Sequence, residues 1–216
     1  MKHKHTHYIY ASFALLLFVA LGYMVKFYPE ALTGFDSNIQ TWVRGDLPGG
    51  LTAFFKMITT LGNTSVQAVI AILAVIWLYL RQYKAEAIFV GTSGVLASIM
   101  IMSLKYIYQR PRPSITHLVH AGGYSFPSGH SLGTFMILGA IAIVLTQRLV
   151  KKAAKTAVYG ITGLLIFLVG LSRIYVGVHY PTDVLAGFTL AFGLLNAIYP
   201  TYDRIRFEWR FQSKQK

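Results

Sequence analysis

Long apolar runs separated by short polar breaks dominate this chain. Six runs are long enough, or nearly so, to cross a hydrocarbon core, which takes roughly 20 helical residues. They lie near Ile9 to Val25, Thr64 to Leu80, Ala85 to Leu104, Leu132 to Val150, Ala153 to Leu171 and Val184 to Tyr199. Aromatic residues sit at many of their ends, among them Tyr8, Tyr28, Trp77, Tyr83, Tyr106, Tyr175 and Tyr202. Such placement is that of an interfacial belt. Between the first two runs, Asp36 to Asn63 is less hydrophobic and contains the turn signal Asp46-Leu47-Pro48-Gly49-Gly50. After that turn, Leu51, Phe54, Phe55, Ile58 and Leu61 recur at helical spacing. They predict a short helix lying in the interface or a packed connector.

The pattern implies an all-α integral membrane protein: one domain over residues 1–216, six transmembrane helices and a short interfacial helix after the first span. Composition agrees, with 55% hydrophobic and only 12% charged residues, about half the charged share of a soluble domain. With no cysteine in the chain, disulfides and thiolate metal sites are excluded. The basic start Met1 to His7 and Ala20-Leu21-Gly22 loosely fit a signal peptide. The apolar run continues to Phe27, however, which favours an uncleaved anchor. His3, His5 and His7 read as a disordered basic tail, not as a metal site.

Charge then sets orientation. Of the 20 Lys and Arg residues, thirteen fall on the side of the termini and seven on the other. The cation bias of cytoplasmic loops places both termini in the cytoplasm. Much of the formal net charge of +13 is therefore a topology signal, and no nucleic-acid partner is implied.

Four of the seven external cations, Lys105, Arg110, Arg112 and Arg173, stand at the outer ends of spans, against that bias. Snorkelling to headgroups accounts for any one of them. The same face carries two further stretches, Gly122 to Ser131 and Ser172 to Asp183. In the first, Ser128 is a candidate N-cap, with the free amides of Gly129, His130 and Ser131 at the positive end of a helix. In the second, Pro181 suits a first helical turn, leaving His179 in extended chain four residues from Asp183. A carboxylate holding one imidazole nitrogen leaves the other free to attack an electrophile. Guanidinium forks, an ammonium and helix-terminal amides match a phosphoryl group's oxygens. Together these groups specify phosphoryl transfer.

Lys105-x6-Arg112-Pro113, Pro127-Ser128-Gly129-His130 and Ser172-Arg173-x5-His179-x3-Asp183 resemble the three-part signature of the type 2 phosphatidic acid phosphatases, or lipid phosphate phosphatases. The motif-bearing core runs from 105 to 183. The resemblance implies a metal-independent phosphatase without a cofactor. In it, His179 is phosphorylated, Asp183 orients it and His130 protonates the leaving alcohol. Lys105, Arg112, Ser128, Gly129 and Arg173 hold the phosphate, and Arg110 lies outside the signature. Small size and minimal loops are most like bacterial phosphatidylglycerophosphatase B and undecaprenyl pyrophosphate phosphatases. That likeness implies a multi-pass protein of the bacterial plasma membrane taking a lipid phosphate or diphosphate from the outer leaflet. A non-catalytic binder or transporter of anionic headgroups is the alternative, and it has no need of both histidines and Asp183.

Overall fold

A computed structural model describes residues 4–215, and those residues form eight helices. They are α1 (Lys4–Phe27), α2 (Pro29–Arg44), α3 (Gly49–Thr60), α4 (Thr64–Leu80), α5 (Lys84–Tyr108), α6 (Gly129–Thr146), α7 (Lys152–Tyr175) and α8 (Pro181–Phe211). Five of them, α1, α5, α6, α7 and α8, are each long and apolar enough to cross a membrane. The bent pair α3 and α4, which meet at 49°, is together long and apolar enough to be a candidate for the sixth crossing. At 17 residues, α4 spans only about 25 Å, so the turn at Leu61-Gly62-Asn63 and α3 extend it. α6 is the most enclosed of the spans and lies among α5, α7 and α8, while α1 packs along α8.

Three features depart from the pattern of apolar runs. Between the first span and α4 the chain forms two helices, α2 and α3, not one. Pro29 sits at the start of α2, where a missing amide costs nothing. This helix buries Asp36 and Gln40 while leaving Phe35 and Trp42 exposed, so its polar side faces the protein.

The last helix also runs twelve residues past Tyr199, through Pro200. Proline removes one helical hydrogen bond, yet tertiary contacts hold the segment beyond it. The Tyr202 ring stacks on Phe89 at 4.2 Å between centroids. Arg210 donates to Glu86 Oε1 at 3.1 Å, and Gln215 Oε1 accepts from the first-turn amide of Ala85 at 2.8 Å.

Finally, His5 and His7 belong to α1, and His7 Nδ1 lies 2.8 Å from Asn196 Oδ1. They are not a frayed tail; His3 is outside the described residues.

The helices converge tightly at one end of the bundle. At Gly187 an added Cβ would lie 3.0 Å from the carbonyl oxygen of Ser128, so the N-terminal turns of α6 and α8 approach backbone to backbone. Nearby, the amide of Ser128 donates to the carbonyl of Asp183 at 3.0 Å. A buried cluster including Phe126, Leu132, Met136 and Leu190 lies below this contact.

Candidate active site

Two connectors at that end, 109–128 between α5 and α6 and 176–180 between α7 and α8, carry Arg112, Ser128 and His179, and the helix ends that flank them carry the other five candidate residues. The second is held in a fixed shape. Gly177 adopts φ +82, a left-handed conformation open to glycine at little steric cost. An added Cβ there would also strike the side chain of Arg44 and the carbonyl of Thr116. Arg44 reaches from α2 to donate to Tyr175 O at 3.0 Å and Thr116 O at 2.9 Å. His179 therefore stands in a bend, not in extended chain, with its amide donating to Arg173 O at 3.3 Å.

The His179 ring is only 2% exposed. Its Nδ1 lies 3.3 Å from Asp183 Oδ2, and its Nε2 lies 3.3 Å from Arg112 Nη1. A second acceptor role anchors the carboxylate, since Asp183 Oδ2 also takes the Tyr180 amide at 3.0 Å. In the neutral ring this network puts the proton on Nδ1, donated to Asp183, and leaves the lone pair on Nε2. Burial pushes the His179 imidazole well below its ordinary value, and the positive charges of Arg173, Arg112 and Lys105 push it the same way. The unprotonated, nucleophilic form is thereby favoured.

Arg112 is clamped between the connectors. Its Nη1 donates to Val178 O at 2.7 Å, Nε to Gly123 O at 3.1 Å and Nη2 to Gly122 O at 2.8 Å. Lys105 Nζ, from the last turn of α5, donates to Tyr124 O at 2.6 Å. Arg173, near the end of α7, donates through Nη1 to Thr59 Oγ1 at 2.6 Å, while its buried Nε has no protein acceptor. Ser128 is the N-cap of α6. Its Oγ takes the Ser131 amide at 3.4 Å, so that amide is not free, and the Gly129 and His130 amides remain in the positively polarised first turn. His130 lies within electrostatic reach of His179, Arg173, Lys105 and Arg112. The fold thus brings all eight sequence-picked residues, Lys105, Arg112, Ser128, Gly129, His130, Arg173, His179 and Asp183, to one end of the bundle.

Other residues in this region were not picked from sequence. Arg110, which the signature omits, donates from Nη1 to Asp183 Oδ1 at 2.6 Å and from Nη2 to Asp36 Oδ2 at 2.8 Å. Asp36 in turn accepts the Thr182 amide at 2.9 Å and the Thr182 hydroxyl at 2.8 Å. Gln40 Nε2 reaches His179 O at 3.5 Å. On the other side, His130 Nε2 meets Asn63 Oδ1 at 3.1 Å, at the break between α3 and α4. The only sequence signal for Asp36 was its acidity in a chain with seven acidic residues.

Comparison with known proteins gives the family. Residues 86–207 match the family model of the PAP2 superfamily. Phosphatidylglycerophosphatase B of Bacillus subtilis is 43% identical over 106 residues, 49% of each chain. An undecaprenyl-diphosphatase of the same organism is 32% identical over 133 residues, covering 59% of this chain and 64% of that one. The chain thus matches about half of the first relative's length and under two thirds of the second's. A crystal structure of a transmembrane PAP2-type phosphatidylglycerolphosphate phosphatase from Bacillus subtilis superposes with a TM-score of 0.83 at 28% identity, covering 90% of this chain and 96% of that one. The family match spans the two connectors and the helix ends that hold the buried His179–Asp183 pair, and by it the chain belongs to the PAP2 superfamily.

Proposed function

We propose that the protein is a membrane lipid phosphatase that removes the terminal phosphate of phosphatidylglycerophosphate, undecaprenyl pyrophosphate or both, through a phosphohistidine. The observation that carries this reading is the buried His179 ring, with Nδ1 on Asp183 and Nε2 toward the cationic side of the site. Similarity to relatives named for these two activities supports the choice of substrates.

In the first step Nε2 attacks phosphorus, the N–P bond forms and the bond to the leaving oxygen breaks. Asp183 takes up the positive charge that develops on the imidazole. Lys105, Arg112, the unpaired Nε of Arg173 and the first-turn amides of α6 hold the phosphoryl oxygens. His130 enters as the imidazolium: Nε2–H is donated to Asn63 Oδ1, and Nδ1 gives its proton to the leaving oxygen. In the second step the now neutral His130 takes a proton from the attacking water, the N–P bond breaks, phosphate is released, and both His179 and the His130 imidazolium are restored. Side-chain cations supply the charge that divalent ions supply in many phosphatases, so the reaction is metal-independent. The charge bias of the loops supports a site on the extracytoplasmic face of a bacterial plasma membrane, with both termini inside.

The test is phosphate release by purified protein from phosphatidylglycerophosphate, undecaprenyl pyrophosphate and phosphatidic acid in liposomes. Turnover in the presence of chelator, inhibition by vanadate and loss of activity in His179→Ala are expected. A strict magnesium requirement, or headgroup binding with no release of phosphate, would defeat the reading.

A further inference from the structure

Asp36, Arg110, Thr182 and Asp183 form a closed buried network, with Asp36 at 2%, Arg110 at 8%, Thr182 at 1% and Asp183 at 0% exposure. The Arg110 fork splits between two carboxylates. Nη1 serves Asp183 Oδ1 and Thr182 Oγ1, at 2.6 and 2.7 Å, and Nη2 serves Asp36 Oδ2 at 2.8 Å. Beneath it, the guanidinium carbon lies 3.9 Å from the Tyr180 ring centroid. The backbone of Arg110 is fixed too, since its carbonyl accepts the Ser125 amide at 2.9 Å. Asp36 is 146 residues from Thr182, and it comes from α2, a helix with no residue in the family signature.

We infer that Asp36 and Arg110 are positioning residues for the phosphoryl-transfer step, holding the Asp183 carboxylate in line with His179 Nδ1. This inference rests on the phosphohistidine reading above and deepens it.

The physical reason lies in how the charges are divided. Asp183 has two oxygens with separate tasks. Oδ2 faces His179 Nδ1 and the Tyr180 amide, and Oδ1 is taken up by Arg110. With Oδ1 held, the carboxylate cannot rotate away from the ring. Asp36 keeps Arg110 in place from the other side. A substrate phosphate would otherwise compete for that guanidinium, because planar forks bind phosphate as well as carboxylate. Asp36 therefore reserves Arg110 for Asp183 and leaves Lys105, Arg112 and Arg173 for the substrate. The formal charge of Asp36, Arg110 and Asp183 together is −1, which complements the positive charge on the imidazole when Nε2 bonds to phosphorus.

The variants are Asp36→Asn, Arg110→Met and Arg110→Lys. Each is assayed in detergent for trapped phosphoenzyme in a single turnover, for vanadate affinity and for thermal unfolding. Asp36→Asn keeps its shape and an oxygen for the Thr182 amide, so it carries the test if Arg110→Met does not fold. Phosphoenzyme formation should fall about 10- to 100-fold in Asp36→Asn, the size of effect when the outer partner of an orienting side chain is removed. Vanadate affinity should not fall. Arg110→Lys should be intermediate between wild type and Arg110→Met, because an ammonium cannot serve both carboxylates as a fork.

Wild-type phosphoenzyme formation in a folded Asp36→Asn protein would overturn the inference. Parallel loss of vanadate affinity and rate would overturn it as well, by showing that the pair holds the whole site together. The phosphohistidine reading fails separately, if His179→Ala still turns over.

Discussion

His130 Nε2 meets the side-chain oxygen of Asn63 at 3.1 Å, across the break between α3 and α4. One nitrogen is held, and the other is directed away from Asn63. If that other nitrogen protonates the leaving oxygen, its value depends on how badly that oxygen needs a proton. A monoester expels an alkoxide whose conjugate alcohol has a pKa near that of water, roughly 16. A lipid diphosphate expels a phosphate whose second pKa is about 6. His130→Ala should therefore slow phosphoenzyme formation much more with phosphatidylglycerophosphate than with undecaprenyl pyrophosphate. Asn63→Ala should show the same substrate bias in weaker form. Single-turnover trapping reads it directly, and equal losses on both lipids would mean that His130 positions phosphate instead of donating a proton.

A second prediction concerns protonation of the nucleophile. Burial and three cations hold His179 below the ordinary imidazole value, and in the proposed mechanism it is the neutral ring that attacks. The group is therefore active above its own pKa and loses activity as pH falls through it. Ring resonances of His179 should stay those of neutral imidazole through about pH 6.5, where free histidine protonates. In Arg112→Gln, one of the depressing charges is gone, so protonation should begin at higher pH. A wild-type ring that titrates like free histidine would contradict the electrostatic account.

Glu86 supports the opposite end of the bundle. It is 1% exposed, and its Oε1 accepts from Arg148 at 2.8 Å and Arg210 at 3.1 Å. The Arg148 guanidinium also lies 3.3 Å from the Tyr83 ring centroid. The Arg148 and Arg210 side chains keep 22% and 40% of their surface exposed, so removing the carboxylate should cost less than the roughly 3–5 kcal/mol of a pair whose remaining charge stays buried. Glu86→Ala should lower the unfolding temperature in detergent while leaving single-turnover activity of the folded fraction near wild type. Loss of activity without loss of stability would show that this end is coupled to the site.

Membrane orientation is tested by labelling. Thr116 and Gly122 lie on exposed parts of the connector that carries Arg112, and Gln82 and Lys152 are exposed at the other end of the bundle. The chain has no native cysteine, so single cysteines report cleanly. Cysteines at Thr116 or Gly122 should react with an impermeant thiol reagent in intact cells, and those at Gln82 or Lys152 should not. The reverse pattern would place the site in the cytoplasm.

Much of this protein was legible along the chain, because lipid imposes a one-dimensional rule. A segment that crosses hydrocarbon must satisfy its backbone within itself, so apolar runs became helices nearly where they occur. His179 and Asp183 were legible for the same local reason: Pro181 starts a helix, and four residues separate the pair. Ser128 was readable as a cap from its own neighbours.

What stayed hidden depended on distance in sequence. Asp36 lies 146 residues from Thr182, and Asn63 lies 67 from His130. Within their own stretches they read as connector residues. Arg110 looked like a spare cation beside Arg112, since no periodicity distinguishes a guanidinium facing a substrate from one facing two carboxylates. The helix beyond Pro200 was equally unreadable, because a proline argues locally for a stop. It continues because Tyr202, Arg210 and Gln215 find Phe89, Glu86 and Ala85 on α5. Local chemistry set the elements and the His179–Asp183 pair, whereas folding chose the partners of each buried charge, since a charge removed from water takes whichever counter-charge the packed helices bring within reach.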